Sequence, residues 1–172
     1  MLTPAEADAL IAARLPASPI ESLPVGQCAG ALLRENVYAE RDQPPYDRAT
    51  MDGIAVAAAV RAGARRLPIE ATQAAGDPPR ALSRPDACLE IMTGAVVPQG
   101  CDAVIPVERI RVEQGCALLP EDLTVTEGQN LNRRGSDQLQ GALLLPAGMR
   151  LGAPEIAVAA GAGMARLRIG QE

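Results

Sequence analysis

Three stretches of the chain gather glycine, proline and chemistry-bearing side chains in a way that a plain strand connection does not need. The first is Pro44-Pro45-Tyr46-Asp47-Arg48-Ala49-Thr50-Met51-Asp52-Gly53, in which two prolines stiffen the approach and Asp52-Gly53 sets a carboxylate at a turn just before a strand. The second runs from Ile91-Met92-Thr93-Gly94-Ala95 through Pro98-Gln99-Gly100-Cys101-Asp102-Ala103-Val104-Ile105 to Glu108. The third is Gly128-Gln129-Asn130 with Arg133-Arg134-Gly135-Ser136-Asp137, followed by Gly141 and Gly148. Carboxylates such as Asp52 and Asp137 can hold a divalent cation through an oxygen or a water. The Thr93 hydroxyl beside Gly94 can donate to an oxyanion. Arg133 and Arg134 beside Gly135 can balance phosphate-like charge with paired donors. Each residue also has a plain structural role open to it. Asp before Gly is common in turns, and Gly53, Gly94 and Gly135 suit backbone geometry. Asp47, Asp102 and Glu108 suit loop fixing or pairing with Arg, and adjacent arginines often form a solvated face.

These segments need a scaffold, and the sequence predicts a β-rich one with helices near the two ends. Thr3, Pro4 and Glu6 form a capping box that starts a helix, with Ala7, Leu10, Ile11 and Leu15 as its apolar stripe and Pro16 as its stop. A Ser/Pro-rich link follows, then a brief helical turn leading into a strand near residues 32–39. From Pro44 to about Asn130, short strands are expected at 53–57, 67–72, 88–92, 103–107, 109–113 and 116–119, punctuated by Gly and Pro. Ile110 and Val112, flanked by Arg109, Arg111 and Glu113, have the alternation of a half-buried strand. A strand-like run follows Gly141. A helix is expected over 154–160 and a last strand over 165–169. Gly161-Ala-Gly163 follows a helix and lacks the third glycine, so no dinucleotide-binding fingerprint is present.

Composition removes other chemistries. The chain has 172 residues, 48% hydrophobic and 22% charged, an ordinary globular balance long enough for a sizeable core. It has no His, which excludes His-based proton shuttles, Ser-His-Asp triads and His-containing metal sites. All sixteen cationic side chains are Arg, so Schiff-base chemistry and a P-loop lysine are absent. With no Phe or Trp, two Tyr and a net charge of −5, the sequence argues against nucleic-acid and anionic-membrane surfaces. Cys28, Cys88, Cys101 and Cys116 have no C-x-x-C spacing and read as small, buried, reduced side chains. With no signal peptide and no apolar run long enough for a membrane span, a cytoplasmic protein is expected.

The three segments, in order over nearly the whole chain, resemble the N-terminal and linker region of the MoeA family, molybdopterin molybdotransferases related to animal gephyrin and its plant counterpart. PPYDRATMDGIA is similar to the family's Pro-Pro-x-Asp…Met-Asp-Gly element. IMTGAVVPQGCDAVIPVE is similar to Met-Thr-Gly-Ala…Pro-x-Gly-Ala-Asp-Ala-Val, and GQNLNRRGSD with GALLLPAG to Gly-x-Asn…Gly-Glu-Asp…Gly. The resemblance implies an α+β fold in which a β-rich subdomain (44–139) is inserted into an elongated linker subdomain formed by 1–43 and 140–172. It implies a homodimer, and a pterin-nucleotide catalytic domain that would begin about where the sequence ends and is not part of it. The family inserts molybdate into adenylylated molybdopterin with Mg²⁺ and releases AMP. By motif position, Asp52, Thr93 and Asp137 would reach the partner's site as catalytic residues. Arg133, Arg134 and Gly94 would bind substrate, and Asp52 and Asp137 are the carboxylates to which Mg²⁺ could be linked. The chain departs from the pattern at Ala49-Thr50, Glu90, Asn132 and Ser136. This leaves a second reading, a stand-alone, non-catalytic paralogue acting as a dimeric partner-binding module.

Overall fold

A computed structural model describes residues 2–14, 19–58 and 65–170. In chain order these form helix α1 (Pro4–Arg14), β1 (Ile20–Pro24), a 3-10 turn (Val25–Gln27), β2 (Leu32–Leu33), β3 (Val37–Tyr38), β4 (Arg48–Ala49), β5 (Gly53–Val56), β6 (Arg66–Gln73) and β7 (Cys88–Ile91). They continue with β8 (Ala103–Pro106), a 3-10 turn (Val107–Arg109), β9 (Arg111–Glu113), β10 (Cys116–Leu118), β11 (Leu131–Asn132), β12 (Leu143–Leu145), helix α2 (Ala153–Gly161) and β13 (Arg166–Gly170). The mixed helix-and-sheet class expected from the sequence is what forms. The chain divides into two compact units, one of residues 1–40 with 141–172 and one of residues 41–140.

In the first unit, β13 is the centre of a three-stranded antiparallel sheet, with β1 on one side and β2 on the other. Leu33, Leu167 and Ile169 from this sheet, with Val37, Leu145, Leu151 and Ala159, build its core. The strand expected over 32–39 is split. Leu33 pairs with Ile169, whereas Val37 pairs with Leu145 of β12, so the chain leaves one sheet for another. Asn36 marks the change, its Oδ1 accepting the Ala147 amide at 2.8 Å. Helix α1 starts with the expected box: the Thr3 amide donates to Glu6 Oε2 at 2.8 Å and the Glu6 amide to Thr3 Oγ1 at 3.3 Å. Its apolar stripe stays exposed: no residue of α1 is buried and Ile11 is 59% exposed. Leu15 and Pro16 lie outside the described residues.

In the second unit, six strands form one sheet in the order β8-β5-β7-β6-β10-β9, antiparallel except for β6 with β7. Apolar residues of β5 and β8 (Ile54, Val56, Ala103, Ile105) form its core with Leu67, Cys88 and Ala117. The half-buried strand expected at 109–113 is corrected. Its first residue belongs to the 3-10 turn, and Arg111–Glu113 is exposed throughout, Val112 by 56%. The cause is position: β9 is an outer edge, paired among the described residues to β10 alone, through a two-residue turn at Gln114 and Gly115, both of positive φ. Of the cysteines, Cys28 and Cys88 are buried, whereas Cys101 and Cys116 are partly exposed, and all four are free.

Candidate functional site

The short strand β4 is where the three glycine-rich segments meet. On one side it pairs with β11, Ala49 opposite Leu131 and Arg48 opposite Asn132, and the Thr50 amide donates to the Asn130 carbonyl at 3.0 Å. On the other side the Gly94 amide donates to the Ala49 carbonyl at 2.8 Å and the Ala49 amide to the Ala95 carbonyl at 3.0 Å. The turn after β7 explains the Met-Thr-Gly-Ala order. The Ala95 amide closes onto the Met92 carbonyl at 3.0 Å, and Gly94 takes the third position with φ +83°. That conformation belongs to glycine in a type II turn. Asn130, at φ 56°, is a non-glycine residue in the left-handed region, a conformation that Asn adopts more readily than most. Its side-chain amide donates to the Val104 carbonyl at 2.9 Å, tying this turn to β8.

The convergence brings Asp52 and Thr93 into contact. Asp52 Oδ1 accepts the Thr93 amide at 2.7 Å and the Thr93 hydroxyl at 2.6 Å. These two bonds, the hydroxyl's first, hold the Asp52 carboxyl below the usual carboxylate range, so it is ionised at neutral pH. Oδ2 accepts no hydrogen bond among the described residues and the residue is exposed. The Thr93 hydroxyl hydrogen, expected to serve an oxyanion, is instead spent on Asp52. Beside the pair lies a cavity of about 220 Å³ with Asp52 and Glu90 on its wall and Ile54, Ile69, Met92 and Val112 among its apolar lining. Glu90 is anchored by the Thr72 hydroxyl at 2.7 Å.

The other expected site residues form a second cluster around the start of the same segment. Asp137 has an Arg48 guanidinium nitrogen at 4.0 Å, with both side chains exposed. Arg133 and Arg134 each pair with a carboxylate through one guanidinium nitrogen. Arg133 Nη1 donates to Asp47 Oδ2 at 2.7 Å, the Arg134 amide to Asp47 Oδ1 at 2.8 Å, and Arg134 Nε to Asp42 Oδ2 at 2.6 Å. Gly94 sits in open space with its positive φ, which is a backbone role. The pairing read for Asp47 is therefore present, while Asp42 carried no sequence signal beyond its acidity. Asp102 holds the Ala58 amide at 2.5 Å, a loop-fixing contact. Burial pushes the Cys88 thiol, and partial burial the Cys101 thiol, up to about 12, so neither is an activated nucleophile.

Among the described residues, no group of three or more Cys, Asp or Glu side chains could hold a metal ion. Asp52 is engaged by Thr93 through Oδ1 alone, and Asp137 stands 4.0 Å from an Arg48 nitrogen.

Residues 2–163 match the MoeA N-terminal region (domain I and II), and the chain belongs to that family. It is 32% identical over 173 residues to a molybdopterin molybdenumtransferase of Synechocystis, covering all of this chain and 44% of that protein. It is 35% identical over 164 residues to the one from Synechococcus elongatus, covering 91% of this chain and 40% of that protein. The crystal structure of a molybdopterin biosynthesis MoeA protein from Pyrococcus horikoshii superimposes with a TM-score of 0.83 at 29% identity, over 100% of this chain and 45% of that one. The chain thus spans less than half the length of these relatives.

Proposed function

We propose that this chain is the N-terminal region of a molybdopterin molybdotransferase. In that reading residues 44–139 are the inserted β-rich subdomain, and the remainder is a linker subdomain that dimerises. Asp52, Thr93 and Asp137 reach a site on the partner protomer where molybdate enters adenylylated molybdopterin. The observation that carries the reading is the exposed Asp52–Thr93 pair at the strand where all three motif segments join, in a chain that matches this part of molybdenumtransferases. Thr93 fixes the Asp52 carboxylate with two donors on one oxygen, leaving Oδ2 to orient a polar group of the substrate or a water. Fixing it before substrate arrives removes the reorganisation that a mobile carboxylate would need.

The test is Asp52→Asn in the complete protein. Asn keeps the size and turn-forming capacity but removes the charge. Molybdate-dependent AMP release is expected to fall by about 10²-fold or more, the magnitude of a lost electrostatic contact in a transition state. The thermal melt should be unchanged. Activity at the wild-type level would return Asp52 to a turn-forming role.

A further inference from the structure

The carboxylates of Asp47 and Asp42 occupy both arginines of the third motif, and they do so as part of a larger clamp. Asp47 receives the Arg133 guanidinium and the Arg134 amide. Asp42 receives the Arg134 guanidinium on one oxygen and the Gln140 amide on the other, at 2.8 Å. The backbone between the two acids completes the grip. The Gln43 carbonyl accepts the Asp137 amide at 2.8 Å and the Gln138 amide at 3.1 Å, and the Pro44 carbonyl accepts the Gly135 amide at 2.9 Å. Gly135 takes a φ of +73°, the left-handed conformation that suits glycine at this turn. The segment 42–48 therefore fixes residues 133–140 from one end to the other, and Asp137 lies in the middle of what is held.

Partial burial opposes ionisation of Asp47, but the Arg134 amide and the Arg133 guanidinium outweigh it, and the carboxyl is held below the usual range. Each arginine spends one guanidinium nitrogen on its carboxylate, Nη1 of Arg133 and Nε of Arg134, and that contact fixes where the rest of the side chain and its loop lie.

We propose that Asp47, with Asp42, is a positioning residue: it holds Arg133 and Arg134 as struts, so that the loop presents Asp137. The proposal rests on the reading of Asp137 as a site residue. Two measurements test it. Amide hydrogen exchange on this chain should show residues 135–140 exchanging about 10-fold faster or more in Asp47→Ala, because the opening of the loop becomes easier. In the complete protein, Asp47→Ala should lower kcat about 10- to 100-fold with KM within about twofold, the cost of a misplaced group. Asp47→Asn, which can still accept the Arg134 amide, should recover exchange protection and part of kcat. Asp47→Ala combined with Arg133→Ala should be no worse than the poorer single variant, because both remove one contact.

Unchanged exchange in Asp47→Ala overturns the proposal. So does an Arg133→Ala variant that raises KM with kcat and exchange untouched, since that marks a substrate ligand. Asp137→Asn separates the two levels. If it abolishes turnover while Asp47→Ala does not affect it, only the positioning role fails. If it leaves turnover intact, the site reading fails and the positioning role falls with it.

Discussion

At the scale of single residues, acid carboxylates do most of the organising. Asp42, Asp47 and Asp52 are all held below the ordinary value of 3.8, Asp42 by the Gln140 amide and the Arg134 guanidinium. A lowered folded-state value means that the fold favours the ionised form. The stability this supplies is therefore complete above about pH 4 and is lost as pH falls through the lowered values. Asp47→Asn should cost about 1 kcal/mol at pH 7, reduced by the solvent exposure of the pair. Urea unfolding at successive pH values should show the gap between wild type and Asp47→Asn closing as pH drops from about 4 toward 2. Gln73 is a different case, a fully buried polar side chain. It is satisfied by donating to the Pro78 carbonyl at 3.2 Å and accepting the Arg80 amide at 2.8 Å, which pins the loop after β6.

At the scale of elements, two glycines of the motifs do unlike things. Gly53 opens β5 between β7 and β8, and a Cβ there would stand 1.9 Å from the Ile105 carbonyl oxygen. Only the absence of a side chain lets β8 approach. Gly53→Ala should destabilise by about 3 kcal/mol or more, because the obstruction is backbone in a packed sheet. Gly94 has nothing near its missing Cβ, but its φ of +83° disfavours any L side chain. Gly94→Ala should cost only about 1–2 kcal/mol, the penalty of the left-handed region. Denaturant midpoints of the two variants, compared side by side, check the ranking.

At the scale of the whole molecule, α1 leaves its apolar stripe exposed among the described residues. Leu10 is 43% and Ile11 59% exposed, and the helix contributes no buried residue. A second copy of the chain is the occupant the family reading supplies for this apolar face. Sedimentation at micromolar concentration should give twice the 17.9 kDa chain mass. Ile11→Asp should shift it toward a single chain without lowering the melting temperature of the sheet units. Because the chain corresponds to only 40–45% of its relatives' length, it should by itself release no AMP from adenylylated molybdopterin above a protein-free control.

Local rules were enough for much of this. The Thr3–Glu6 box, most of the strands and the glycine-bearing turns follow from capping chemistry, hydrophobic periodicity and turn stereochemistry, all of which act over a few residues. The ordered motifs also carried the family. What those rules cannot reach is contact between distant segments. Arg133 and Arg134 read as open cations because Asp42 and Asp47 lie some ninety residues earlier, and only the closing of β4 onto β11 brings them together. Val112 alternates as a half-buried residue should, yet β9 fell at the sheet's edge, where no further strand covers it. The run from Leu32 to Ala39 has one composition but two sets of partners, so it breaks at Asn36. Residue type and spacing set which side chains can do chemistry. Tertiary pairing decided which remained exposed, because a carboxylate or guanidinium is available to a ligand only after the fold has settled its internal partners.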